Sequence, residues 1–142
     1  MSGPMEQPLL KVENLRTRIE TPSGGFDVVD DISFTLRAGE TMGIVGESGS
    51  GKSMTGLSLL GLVPKPAASV VGGRVLLDGV DLLTMTEAEL REVRGRQISM
   101  ILQDPQTSLN PAFTIGNQLL EALQVHRRDS RASLRSRAIE AL

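Results

Sequence analysis

The sequence has no cysteine, no tryptophan and no tyrosine, and three phenylalanines are its whole aromatic content. Without cysteine there is neither a disulfide framework nor a thiolate metal site, a composition that fits a reducing compartment. With so few rings, the multi-ring platforms on which RNA-binding sheets stack successive bases are not expected. An excess of one charge is missing too. Fifteen basic residues against seventeen acidic ones leave a formal charge of −2, so no overall field gathers a nucleic-acid backbone. Long apolar runs are also lacking: the greasiest stretch, "MTGLSLLGLVP", spans residues 54–64 and ends in proline, well short of the roughly 20 residues that cross a bilayer. The opening "MSGPMEQPLL" has no basic segment followed by an apolar one, so no secretory signal is expected. What is there is an ordinary α/β composition, 39% hydrophobic and 23% charged, on 142 residues, the usual size of one domain.

Along the chain, "LLKVENLRTRI" and "FDVVDDISFTLRAGE" flank the turn-rich "TPSGG". The second alternates Ile32, Phe34 and Leu36 with Ser33, Thr35 and Arg37, which predicts two strands, the later one half buried. "TMGIV" reads as a short strand buried on both faces of a parallel sheet. Met54, Leu57, Leu60 and Gly61 suit a helix over 52–62, stopped by Pro64 and Pro66. "GGRVLLDGVDLL" predicts a Gly-Gly turn, a strand and a hairpin at Asp78-Gly79. Thr86 and Glu89 form a capping box for a helix that ends near Gly95, with Met85 and Leu90 placed as a hydrophobic staple. "QISMIL" reads as another apolar strand, ended by the polar loop "QDPQTSLNP". Ile115, Leu119, Leu120 and Leu123 share one helix face. A last helix begins at a Ser130 cap, with Leu134, Ala138 and Leu142 on one side. Antiparallel strands followed by β-loop-α and a second buried strand are the order of an α/β nucleotide-binding domain.

The chemistry is concentrated in "GIVGESGSGKS", residues 43–53. Gly46, Gly51, Lys52 and Ser53 fit G-x-x-x-x-G-K-[ST] between an apolar strand and a helix. A polyphosphate needs several backbone N–H groups turned inward at once, and residues without a Cβ let the chain curl that tightly; Gly46, Gly49 and Gly51 meet the demand, with Glu47, Ser48 and Ser50 between them. The helix starting near Lys52 adds its positive end, Lys52 a formal charge for the outer phosphates, and Ser53 a hydroxyl for Mg²⁺. The alternative is a flexible Gly/Ser linker, which "ESGSG" alone would suggest.

Together, "LRAGETMGIVGESGSGKS" and "ILQDPQTSLNPAFTIGNQLLEAL" resemble the ATP-binding subunits of ABC transporters, most closely the oligopeptide, dipeptide and nickel importer group. The resemblance runs from about Leu10 onward. It implies an α/β P-loop NTPase fold of the ABC ATPase kind, present as its N-terminal part: an antiparallel β subdomain, the Walker A β-loop-α and the start of the helical subdomain. Residues 1–8 are then a flexible N-terminus and residues 9–142 a nucleotide-binding domain, incomplete at its C-terminal end. The resemblance further implies ATP and Mg²⁺ as cofactors, with Gly46 to Ser53 as Walker A and Gln103 as the Q-loop glutamine, so that Ser53 and Gln103 are the metal ligands. It also implies transmembrane permease subunits met through the Q-loop region, a second ATP-binding subunit, and a peripheral place on the cytoplasmic face of the membrane. Gln103 otherwise reads as a polar residue at a strand end.

Two departures stand out. Where the family presents an aromatic ring to adenine near the end of the first strand, this chain has Ile19, which gives apolar contact without a π face, or merely packs. The LSGGQ-type signature, the Walker B strand ending in Asp-Glu, the D-loop and the switch histidine do not occur in these 142 residues. His126, the one histidine, lies in "QVHRRDS" and reads as a solvated surface residue, as do Arg127, Arg128, Arg131, Arg135 and Arg137. Asp104, after "MILQ", could serve as the Walker B of a small P-loop kinase, although Pro105 follows it directly; a non-catalytic nucleotide-binding or partner-binding module is the other alternative. No catalytic base is assigned, and the last helix carries its apolar stripe to Leu142 without a stop signal, which suggests an interrupted domain.

Overall fold

The computed structural model of the chain describes residues 7–103, 109–126 and 129–142, apart from the His126 side chain. Asp104, Arg127 and Arg128, most of the "QDPQTSLNP" loop and residues 1–6 lie outside the described residues, as does the surface reading of His126. The chain divides into two compact units, Met1–Arg91 and Glu92–Leu142.

The first unit is built on an antiparallel sheet. β1 (Leu10–Ile19) is flanked by β2 (Phe26–Leu36) and β3 (Ala68–Leu77), and β4 (Val80–Asp81) follows β3 through the Asp78-Gly79 turn, giving the order β2-β1-β3-β4. The two long strands and the Asp78-Gly79 hairpin expected from the sequence are all present. Along β2, Ile32, Phe34 and Leu36 are half buried while Ser33 and Thr35 are exposed, as their alternation requires.

β1 has no unbroken alternation. Leu10 and Val12 are buried, then Leu15 and Thr17, so the phase slips by one residue at Asn14, which has φ 48° and marks a register shift against both neighbours. Asn14 is a β-bulge: its extra residue keeps both halves of the strand facing one core. Its N–H donates to Ser33 Oγ at 2.8 Å and its Nδ2 to Asp31 Oδ1 at 2.7 Å. Opposite it lies Gly73, φ 94°, where a Cβ would fall 2.6 Å from the Glu13 and Asn14 carbonyls. The Gly-Gly pair expected as a turn is therefore inside β3. Its backbone is glycine because the bulge crowds it, not because the chain reverses.

α1 (Lys52–Leu59) covers the core face of the sheet, and Leu60 and Val63 close it beyond the helix. The helix stops three residues short of the expected Leu62, because Gly61 takes up φ 63° and its N–H and that of Leu62 return to the Ser58 and Leu57 carbonyls. Burying side chains such as Leu15, Val12 and Val75 contributes about 1.5–3 kcal/mol each. The opposite face of the sheet carries charges: Arg16 pairs with Asp27 and Asp30, Arg18 with Glu20 and Asp27, and Arg74 with Glu13. Such exposed pairs contribute little individually.

α2 (Glu87–Val93) starts at the capping box as expected. Thr86 N–H and Oγ1–H both donate to Glu89 Oε2 at 2.7 Å, and Glu89 N–H reaches back to Thr86 Oγ1 at 3.4 Å.

In the second unit, α3 (Ile115–His126) packs against α4 (Arg131–Glu140). Ser130 caps α4 as expected, accepting from Ser133 N–H at 3.4 Å. Leu134 and Ala138 are buried, but Leu142 at the end of the same stripe is 86% exposed, because α4 ends at Glu140. Arg131, Arg135 and Arg137 are exposed, as their pattern predicts.

Two expected strands are not formed. Residues 41–46 of "TMGIV" and its sequel have no ladder, and Met42, Ile44 and Val45 are 40%, 50% and 93% exposed. "QISMIL" makes one isolated parallel bridge, Arg94 to Ile98, and Ile101 is 90% exposed. An all-apolar run becomes a central strand only when neighbours on both sides supply its hydrogen bonds. Among the described residues the sheet is wholly antiparallel and offers neither run a partner.

Candidate phosphate-binding loop

The glycine-rich segment lies wholly in the first unit. It leaves the exposed stretch at Val45, makes a turn in which Ser50 N–H donates to Glu47 O at 3.2 Å, and enters α1 through Gly51. Gly49 and Gly51 have φ 83° and 85°. Gly51 is the N-cap of α1, where the left-handed backbone turns the chain into the helix, and Thr55 N–H and Oγ1–H both donate to its carbonyl, at 2.8 and 3.0 Å.

A second constraint on Gly51 comes from the sheet. Between the pairs Thr17–Val29 and Arg18–Asp27, β2 advances two residues for one of β1, so Val28 is an extra residue. This bulge brings the Val28 carbonyl to Gly51, and any Cβ there would run into that oxygen. Sequence reasoning found Gly51 through its motif but missed Val28, because a bulge is set by the partner strand. The one local signal, the apolar pair Val28-Val29 interrupting the alternation, is faint.

The loop is exposed from Gly43 to Ser50. Among the described residues, the N–H groups of Ser48, Gly49, Gly51, Lys52 and Ser53 have no acceptor. Several converge at a helix N-terminus, whose partial positive charge they constitute. Lys52 folds back over the loop: Nζ donates to the Gly46 carbonyl at 2.7 Å, to the Glu47 carbonyl at 2.6 Å and to Ser50 Oγ at 3.2 Å. The two carbonyls fix the ammonium above the turn, while the longer hydroxyl contact is the one most readily exchanged for an anionic oxygen. Ser53, exposed in the first turn of α1, has its hydroxyl free for a hydrated cation beside that anion. Backbone donors without acceptors, a fixed ammonium and a free hydroxyl are the chemistry that a magnesium-bound polyphosphate requires, so the residues fit the group.

The other sequence-predicted positions stand apart from this loop in character. Ile19, the last residue of β1, is half buried and lies in the ladder between Phe26 and Ala68. Gln103, in the second unit, is exposed and follows residues 99–102, which form no strand, instead of ending a buried one. Among the described residues no cluster of His, Cys, Asp and Glu suited to a metal ion occurs, and no helix is long and apolar enough to cross a membrane.

Comparison with known proteins places this geometry. The family model for the ABC transporter matches residues 29–142. The chain is 46% identical over 141 residues to the probable peptide ABC transporter ATP-binding protein y4tR of Sinorhizobium fredii, covering 99% of this chain and 42% of that protein. It is 47% identical over 134 residues to the oligopeptide transport ATP-binding protein OppD of Escherichia coli, covering 94% and 39%. Against OppD of Haemophilus influenzae the identity is 52% over 120 residues, covering 84% and 36%. The chain thus spans about two-fifths of the length of these relatives. Among solved structures, the dimeric ABC transporter cassette MJ0796 superposes with a TM-score of 0.73 at 25% identity, covering 92% of this chain and 54% of that one. The same cassette in a post-hydrolysis state bound to ADP and Pi gives 0.72 at 26%. The fold is accordingly the N-terminal portion of an ABC ATPase cassette, and the chain belongs to the ABC transporter family.

Proposed function

We propose that the chain binds Mg-ATP through Gly46–Ser53 as part of the ATP-binding component of an importer for peptides. The observation that carries this reading is the group of amides of Ser48, Gly49, Gly51, Lys52 and Ser53, without acceptors among the described residues and closed over by the Lys52 ammonium. The peptide cargo is supported by the relatives, whose names specify peptide and oligopeptide transport. In this reading residues 9–142 are nucleotide-binding-domain sequence. Ser53 ligates Mg²⁺, which neutralises charge on the outer phosphates, and Gln103 lends its neutral amide as a second ligand.

The partners proposed are transmembrane permease subunits, met through the region around Gln103, and a second ATP-binding subunit. The place of action is the cytoplasmic face of the membrane, held there by the permease. Hydrolysis needs a group that positions or deprotonates the attacking water. No signature motif or Asp-Glu pair follows an apolar strand in the 142 residues, so this polypeptide alone is proposed to release phosphate very slowly.

The test is calorimetric titration of the chain and of Lys52→Ala with Mg-ATP. The substitution is expected to weaken binding at least about a hundredfold, since it removes a charge-assisted contact and a clamp on the loop together. Equal affinity in the two proteins would overturn the reading.

A further inference from the structure

A cavity of about 460 Å³ opens in the first unit beside the end of α1, β3 and the start of α2, and it shares no residue with the glycine-rich loop. Ser69 and Val70 both line it. Successive residues of a strand point to opposite faces of its sheet, so a hollow that both reach lies against the edge of β3. That edge is only partly covered. β4 pairs with Leu76 and Leu77 alone. Before them the Val75 N–H is taken by Asp81 Oδ1 at 3.2 Å, and at the start of the strand the Ala68 N–H donates to the Pro64 carbonyl at 2.8 Å. Ala68 thus turns its main chain away from β1, and Val70, two residues on, turns the same way. Among the described residues the Val70 N–H and carbonyl find no partner on that side.

Gly72 and Gly73 continue the lining. Gly73 answers to the bulge at Asn14, whereas a Cβ on Gly72 would meet only the Arg16 side chain, at an ordinary 3.7 Å or more. A strand glycine that the fold does not demand leaves its main chain bare where another backbone can approach. Both signs of charge reach the cavity. Lys65, exposed and without an ion pair among the described residues, enters from the segment after α1. Glu87, whose carboxylate lies 3.8 Å from Arg91, enters from the first turn of α2. The apolar lining includes Val63 and Leu82, both buried, and Leu90, half buried.

We propose that this cavity binds a short apolar peptide with free termini, laid along β3 as an added strand. Its main chain bonds to Val70, its carboxylate meets Lys65, its ammonium meets Glu87, and an apolar side chain covers Val63, Leu82 and Leu90. An open strand edge selects an extended main chain, and a cation and an anion in one hollow select a zwitterion over a simple acid or amine. The volume lies within the range of small-ligand sites. The proposal is independent of the phosphate-binding reading, so either can fail alone.

The probe is leucyl-leucine, titrated into the whole chain by calorimetry, with amide exchange followed by NMR. It is expected to bind at least about tenfold more tightly than glycylglycine, which offers the same charges without apolar side chains. It is also expected to slow exchange of the Val70 amide. Lys65→Gln is expected to weaken leucyl-leucine roughly tenfold without weakening its C-terminal amide, and Glu87→Gln to weaken it similarly without weakening the N-acetyl form. Both variants should keep the parent's circular dichroism and its affinity for Mg-ATP. Equal affinity for leucyl-leucine and glycylglycine, binding unmoved by both substitutions, or no binding at all overturns the site. Protection of the Val70 amide that rises with protein concentration in the absence of peptide assigns the edge to a second copy of the chain, and overturns it likewise.

Discussion

Thr17 Oγ1 and Ser58 Oγ lie 2.7 Å apart, both buried, and tie the central strand of the sheet to the helix behind the glycine-rich loop. Ser58 Oγ also lies 2.7 Å from the Met54 carbonyl, which can only accept. A hydroxyl has one proton, so Ser58 donates to Met54 and Thr17 donates to Ser58.

This direction makes the two deletions unequal. Ser58→Ala leaves the Thr17 hydroxyl buried without an acceptor, at about 2 kcal/mol. Thr17→Val removes the donor but leaves Ser58 bonded to Met54, at about 1 kcal/mol or less. The double variant should cost less than the sum, because the orphaned hydroxyl of the first is gone in the second. Urea unfolding of the three variants checks the order, and equal costs would contradict the assigned direction.

Gly51 is held by its own φ of 85° and by the Val28 carbonyl. Gly51→Ala should cost about 1–2 kcal/mol from the backbone alone, with the blocked approach of β2 adding to it. Gly43→Ala is the control, since a Cβ there meets nothing within 4 Å. Thermal melts should separate the two clearly, and ATP affinity should fall only in the first.

The capping box sets an acid limb on stability. Hydrogen bonds from the Thr86 backbone N–H and then its hydroxyl hold the Glu89 carboxyl below the ordinary value of 4.5. Because the folded value is the lower one, this contribution is full above the ordinary carboxylate range and is lost as pH falls through the depressed value. Glu89→Gln should therefore be less stable than the parent at neutral pH and indistinguishable from it in strong acid. Thr86→Ala, which removes the cap itself, should cost about 1 kcal/mol at neutral pH. Melting curves across the pH range read both.

In the second unit, Leu134 is 2% exposed. Leu134→Ala should cost roughly 3 kcal/mol through the cavity it leaves, while Leu142→Ala should change stability by less than about 0.5 kcal/mol. Loss of helical circular dichroism on heating is the measurement.

What the sequence revealed was what neighbours in sequence decide. The Thr86 and Ser130 caps, the Asp78-Gly79 turn and the alternation from Ile32 to Leu36 depend on residues within a few positions, and each is in place. The spacing of Gly46, Gly51 and Lys52 was legible for the same reason. Features imposed by another strand were misread or missed. Gly72-Gly73 looked like a turn because the bulge at Asn14 is visible only once β1 lies beside it. Met42, Ile44 and Val45 looked like a central strand because their apolarity does not say whether partners are at hand.

The bulge at Asn14 also bears on how the sheet assembles. An extra residue in the middle strand, matched by a backbone gap at Gly73 on one side and by Ser33 and Asp31 on the other, fits in a single alignment. Sliding either hairpin by one position would drive the kink into an ordinary strand and turn Leu15 and Thr17 outward. The irregularity thus works as a key, admitting one arrangement of three strands.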